Sequence, residues 1–300
     1  MDNWIHELNT VFLATPAETS LELAPKLVSQ GVHVIDLSGA FRLKEGDAEA
    51  QQQTYEQYYK FKHTNLEMLE KAEYGLVPWN KRKRLPPTEA YLVANPGCYA
   101  TSVLMAILPL LKRKLLEPDS IVIDAKSGTS GAGRKASQEL LFTEVEGECL
   151  PYRVGKHQHL PEIKQYARTF GSSDIDPIFA THLLPVRRGI LSSIYGKVAD
   201  GVTIADVSQA YCEDYSDYGL VQWGELSGGA GRSDAYSLSL RRVVGTGHTR
   251  IHYHIEGGQL YLFSLIDNLI KGAAGQAIEN FNDIHRVPHS VGLEELEAVL

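Results

Sequence analysis

The period of the apolar positions changes several times along the chain. TVFLAT (10–15) and VHVIDLS (32–38) are short, nearly continuous apolar runs, the pattern of strands buried on both faces. Between them, PAETSLELAPKLVSQG repeats at helical spacing and stops at Gly31. Strand, helix and strand joined by short links predict a parallel βαβ unit. Residues 42–72 are polar and tyrosine-rich without a strong period, and are expected to form loops and short helices over the sheet. KRKRLPP (81–87) reads as a solvated basic loop ahead of another strand, AYLVAN.

Beyond residue 98 a helix is predicted over 100–116, then a strand at SIVIDAKS (120–127) and a Gly-rich loop, GTSGAGR (128–134). Further strands are predicted at DIDPIFATHL, GILSSIYGKVA, RIHYHIEG and QLYLFSLI, and a last helix at DNLIKGAAGQAIENFN (267–282). ELSGGAGRSD (225–234) reads as a flexible loop. Strands now outnumber helices, which implies a second domain on a mixed or antiparallel sheet.

Composition narrows the class. Three hundred residues suit two domains, and 43% hydrophobic with 22% charged residues is the balance of a globular protein rather than a disordered one. A net charge of −8 argues against a nucleic-acid binder. The longest apolar run, Val103 to Leu111, is broken by Pro109 and is too short to span a bilayer, so no membrane partner is expected. MDNWIHELNT lacks the basic and apolar regions of a secretory signal. Cys98, Cys149 and Cys212 form no C-x-x-C, a reducing-compartment pattern, and a cytoplasmic protein is expected.

One cysteine has a distinctive setting, within VANPGCYATSVL (93–104). Pro96 fixes φ before a turn, Gly97 permits close approach, and Cys98 falls at the start of the predicted helix. Unpaired N–H groups and the dipole there favour an anion, which lowers a thiol pKa from its reference of about 8.5 toward the nucleophilic thiolate. The same N–H groups could hold an oxyanion. The competing reading is a small buried hydrophobe, the common fate of a free cysteine. That reading is retained for Cys149 and Cys212.

A nucleophile needs a proton-transfer partner, and HQHLPEI (157–163) offers His157 and His159 ahead of a Pro-Glu that could start a helix. They could be an acid/base residue with an ordered neighbour, two metal ligands, or incidental loop histidines. His252 and His254 share one face of a predicted strand, with His248 close by, but no matching third ligand is evident and no metal is expected. GTSGAGR follows a strand without fitting G-x-G-x-x-G or a Walker pattern. Arg134, Arg187 and Arg188 could each clamp a carboxylate or phosphate, or form surface salt bridges.

Taken together, VFLATPAETSLELAP, VIDLSGAFR, YGLVPWN, ANPGCYATS, DAKSGTSGAGR, HQHLPEI, PVRRGIL and DNLIKGAAGQA give a far more specific signal. In this order, from about residue 10 to about 282, they resemble the N-acetyl-γ-glutamyl-phosphate reductase family of arginine biosynthesis, with ANPGCY and NLIKGAAGQA the most diagnostic. The wider superfamily includes aspartate-semialdehyde and glyceraldehyde-phosphate dehydrogenases. The resemblance implies an α/β chain: a Rossmann-type parallel-sheet NADP-binding domain over residues 1–97 with 266–300, and a glyceraldehyde-phosphate-dehydrogenase-like α+β catalytic and oligomerisation domain over 98–265. It implies NADP(H) as cofactor, N-acetylglutamyl phosphate as substrate and a homodimer or homotetramer. Cys98 matches the family's nucleophile, and His157 or His159, with His159 favoured, matches its proton shuttle. Arg134, Arg188 and Asn95 fall at substrate-binding positions. Ser127, Gly128, Gly131, Gly133 and Asn268 would line the nicotinamide side of the cleft.

One departure stands out. Family members usually begin with a strand and a G-x-x-G-x-x-G turn that receives the cofactor's pyrophosphate at a helix N-terminus. This sequence has no such segment, so the Rossmann-type sheet is expected to be incomplete. A start site placed too far downstream is the favoured explanation. A natural short form without reductase activity is the other, and with cofactor binding lost the Cys98 thioester would be released only by water, as in an acyl-phosphatase or esterase. The lysine-pathway paralogue that reduces an aminoadipyl phosphate and a non-catalytic subunit are the remaining alternatives.

Overall fold

A computed structural model describes residues 7–44, 46–82, 85–86, 89–133, 137–228 and 232–294. The chain divides into two compact units, Met1–Gly97 with Ala273–Val291, and Cys98–Gly272 with Gly292–Leu300.

The first unit is built on four parallel strands, β1 (Thr10–Leu13), β2 (His33–Asp36), β3 (Glu73–Tyr74) and β4 (Leu92–Ala94), in the order β1-β2-β4-β3. Helix α1 (Ala17–Ser29) makes the predicted crossover between β1 and β2. Gly31 takes a left-handed φ of 81°, which a side chain would strain, and this ends the helix before the chain turns into β2. Val34, Ile35, Leu92, Val93 and Ala94 are all buried, which accounts for the unbroken apolar runs of these two inner strands. The polar stretch that follows forms short helices, Ala48–Thr54 and Leu66–Lys71. Asp47 and Asn65 start them by accepting from the N–H groups of Ala50 and Met68. Among the described residues of KRKRLPP, Arg82 is not solvated: its side chain is 1% exposed, with Nε 2.7 Å from Glu73 and Nη1 on Asp283. A buried guanidinium finds two carboxylates that lie far apart in sequence, and local charge counting has no access to that.

The second unit carries a seven-stranded mixed sheet: β5 (Val122–Gly128), β6 (Leu150–Pro151), β7 (Ile178–Leu184), β8 (Ile190–Lys197), β9 (Val221–Glu225), β10 (Thr249–Glu256) and β11 (Gln259–Ile266). Their order is β6-β7-β5-β8-β11-β10-β9, with β5–β7 and β9–β10 parallel and the other neighbours antiparallel. Gly257 and Gly258, both at positive φ, make the two-residue hairpin between β10 and β11. Helix α2 (Cys98–Lys112) packs on β8 and β11 and against helices α3 (His159–Gly171) and α4 (Ile204–Tyr215). Tyr99 through Leu111 are all buried, so α2 is a core helix without a polar face. Ser102 anchors it to the sheet, its hydroxyl 2.9 Å from Ser192 Oγ and 3.1 Å from Ser264 Oγ.

Two helices differ in extent from the sequence reading. α2 starts at Cys98 rather than 100, and it ends at Lys112 because Lys114 turns left-handed. The last helix is Gly275–Ile284, not 267–282; a wide turn over Ile270–Ala274 precedes it. Asp267 holds the earlier N–H groups of Leu269 and Ile270 out of the helix. α4 and β9 have no counterpart among the predicted elements. The capping box of Thr203 and Asp206 was a legible sign of α4. β9 is five residues long and is defined by its parallel pairing with the distant β10.

Candidate active site

The Pro-Gly turn delivers Cys98 as the first residue of α2, half-buried, where the helix leaves its first N–H groups without intrahelical partners. Gly272 closes in from the other side. A Cβ there would stand 2.7 Å from the Cβ of Cys98 and 3.2 Å from its Cα, so only glycine fits.

A cavity of about 740 Å³ opens beside the cysteine, within the range for small-molecule sites. Cys98, His157, His159, Tyr152, Ser127 and Gly131 are among its lining residues. α3 brings the two histidines there, beginning at His159, whose backbone N–H donates to Nδ1 of His157 at 3.1 Å. His157 thus serves as a cap. Its ring lies edge-on to Tyr99, Tyr152 and Phe179, with centroids at 5.2, 5.7 and 5.3 Å. Burial, reinforced by the charge of Arg153, lowers its pKa to about 3, so it stays neutral at physiological pH. With Nδ1 accepting from the His159 backbone, His157 packs beside the His159 ring, the two centroids 4.9 Å apart. The Tyr152 hydroxyl donates to that of Tyr99 at 3.0 Å, and burial pushes the Tyr152 phenol up to about 12.

The glycine-rich loop after β5 forms another wall. Gly128, Thr129 and Ser130 donate their N–H groups to the carbonyls of Gly189, Val186 and Arg187 at 2.9, 2.9 and 3.1 Å. A Cβ on Gly128 would meet backbone at 2.7 Å, and one on Gly131 would meet Ser127 Oγ at 2.7 Å. Gly133 adopts a φ of 82°. Asn268, buried, ties the two loops together: its Oδ1 accepts from Gly189 N–H at 2.8 Å, and its Nδ2 donates to Ser130 Oγ at 3.0 Å. A wall of glycine backbone beside the thiol lets a flat ring approach closely, and in this respect the residues fit a nicotinamide.

The other predicted positions fare differently. Arg188 is not among the cavity's lining residues; its Nη2 lies 3.0 and 3.1 Å from the two carboxylate oxygens of Asp267. Asn95 is fully buried in the first unit, with Nδ2 donating to the Ala273 carbonyl and Oδ1 accepting from Asn280. Those bonds brace the turn before Cys98 and make Asn95 a scaffold residue. Arg134 lies outside the described residues. His252 and His254 sit on β10, where His254 Nδ1 is 3.2 Å from the Leu226 carbonyl. Among the described residues no group of three or more potential ligands is arranged to hold a metal ion, and no helix is long and apolar enough to cross a membrane. Sequence reading missed Gly272, Tyr152 and Asp267. For Gly272 the signal was present in the KGAAGQA segment, without a role attached.

A thiol at a helix N-terminus, two histidines and a glycine-walled loop share one cavity, the parts that an enzyme forming acyl adducts on cysteine would need. Residues 98–268 match the family model of a semialdehyde dehydrogenase dimerisation domain, and residues 1–85 match that of a semialdehyde dehydrogenase NAD binding domain. Among solved structures, aspartate semialdehyde dehydrogenase from Francisella tularensis superposes with a TM-score of 0.67 at 15% identity, over 94% of this chain and 83% of that one. Aspartate semialdehyde dehydrogenase with NADP from Candida albicans gives 0.55 at 14%, over 93% and 78%. At the sequence level, N-acetyl-γ-glutamyl-phosphate reductase from Geobacillus thermodenitrificans is 42% identical over 276 residues, 91% of this chain and 75% of that protein. The chain belongs to the semialdehyde dehydrogenase family and, within it, to the N-acetyl-γ-glutamyl-phosphate reductases.

Proposed function

We propose that this chain reduces N-acetyl-L-glutamyl 5-phosphate to N-acetyl-L-glutamate 5-semialdehyde and phosphate, with NADPH, as a cytoplasmic homodimer or homotetramer in arginine biosynthesis. The observation that carries the reading is the shared cavity of Cys98, His159 and the glycine wall. His159 takes the thiol proton, and the Cys98 thiolate attacks the acyl carbon. The carbon–oxygen bond to phosphate breaks, phosphate leaves with the electron pair and takes a proton from water, and a thioester remains on Cys98. The N–H groups at the start of α2 hold the carbonyl oxygen while it carries charge. A nicotinamide cofactor, when bound, would supply a hydride, which a thioester accepts and a free carboxylate resists. Collapse of the resulting thiohemiacetal expels the Cys98 thiolate, which recovers its proton from His159. Ser127, Gly128, Gly131, Gly133 and Asn268 would hold the nicotinamide side. Arg134 and Arg188 are proposed to meet the substrate's carboxylate or phosphate, Arg188 with the guanidinium N–H groups that Asp267 does not engage.

The test is stoichiometry. With N-acetylglutamyl phosphate and NADPH, the purified protein should release one phosphate for each NADPH oxidised. Phosphate release without NADPH oxidation would instead assign a hydrolase, and activity confined to an aminoadipyl phosphate would assign the lysine pathway.

A further inference from the structure

Asp267 lies just beyond β11 and is completely buried. Its carboxylate receives four donors. Oδ2 accepts from Gly245 N–H at 2.7 Å, Oδ1 accepts from Leu269 and Ile270 N–H at 2.8 and 3.0 Å, and Arg188 Nη2 faces both oxygens. Its carbonyl accepts from Gly272 N–H at 2.9 Å, closing the turn that began with its side chain. A buried carboxylate persists only when paired in this way.

The partners lead to two walls of the cavity. Arg188 belongs to the 186–189 segment whose carbonyls hold the N–H groups of Gly128, Thr129 and Ser130. The 267–272 turn carries Asn268, which bonds that segment and Ser130, and ends at Gly272 against the Cβ of Cys98. We infer that Asp267 is a positioning residue of the reduction site, one buried charge that sets both the glycine wall and the seat of the nucleophile. The inference rests on the reading of Cys98 as the reacting thiol. Asparagine at 267 would keep Oδ1 as acceptor for the turn but set an NH2 against Gly245 N–H, donor against donor, and leave Arg188 one neutral oxygen in place of a carboxylate.

The test uses Asp267→Asn, Arg188→Met and the double variant of the full chain. In cofactor-free protein, the rate at which iodoacetamide alkylates Cys98 at pH 7 is expected to fall at least about threefold in each single variant, since the thiol loses its fixed place at the helix terminus. Because both changes break one interaction, the double variant should react no more slowly than the slower single. Turnover of Asp267→Asn, normalised to titratable Cys98, should fall about tenfold or more through kcat. A merely structural residue would lower Tm and the titratable fraction while leaving alkylation rate and normalised kcat at wild-type values, and that result overturns the inference. If Asp267→Asn does not fold, unchanged alkylation in Arg188→Met overturns it equally. Slowed alkylation in a chain whose wild type reduces no acyl phosphate would sink the proposed reaction and leave the positioning role standing.

Discussion

At the scale of single residues, the cavity is shaped by side chains that are absent or uncharged as much as by Cys98. Gly272→Ala would place a methyl 2.7 Å from Cys98 Cβ, where backbone atoms of a core helix cannot retreat. We expect it to destabilise the protein by about 1–3 kcal/mol and to slow turnover more than the stability loss explains, checked by thermal denaturation beside kinetics at a temperature where the variant is folded. His157 gives a pH signature. Its pKa is about 3 when folded and near the ordinary 6.5 when unfolded, so between these values the unfolded chain binds more protons. Its contribution is therefore fully present above about pH 6.5 and is lost as the pH falls toward 3. His157→Gln should flatten the dependence of urea-unfolding free energy on pH over that window, by up to a few kcal/mol at its acid end, at about 1.4 kcal/mol per unit. His159→Asn, by contrast, should lower kcat by about 10²–10⁴ with little change in that stability profile. The place of Cys98 at the start of a helix was legible because Pro96, Gly97 and the apolar run after it are all local. Gly272 and Asp267 were not, because their meaning comes from contacts with Cys98 and Arg188, which are remote in sequence.

At the scale of elements, strands and helices with one strong period were legible and the ones set by partners were not. β2 and β4 could be read from buried apolar runs, and α1 from its spacing and Gly31. The last helix was placed too early because 267–274 has a helical composition, yet Asp267 takes its N–H groups for the turn beneath Cys98. Arg82 shows the limit of reading charge locally. It joins Glu73 at β3 to Asp283 on the Gly275–Ile284 helix from a fully buried position, and its guanidinium lies 5.3 Å over the ring of Tyr91. Arg82→Met removes the cation and strands two carboxylates. We expect a loss of about 3–5 kcal/mol in unfolding free energy, measured by denaturant titration, with Cys98 alkylation in the surviving folded fraction unchanged. A loss below about 1 kcal/mol would mean that the pair behaves as an exposed salt bridge.

At the scale of the whole molecule, two compact units divide the work: residues 1–85 match an NAD binding domain, and the cavity with the thiol lies in the unit that begins at Cys98. The proposed chemistry passes through a thioester on Cys98. The most direct measurement is the intact mass, followed by peptide mapping, of protein mixed with N-acetylglutamyl phosphate in the absence of NADPH and quenched in acid. One N-acetylglutamyl group per chain is expected, on the peptide that contains Cys98, formed as phosphate is released and lost on adding NADPH. Phosphate release with no adduct, or with the adduct on another residue, would contradict the thioester route.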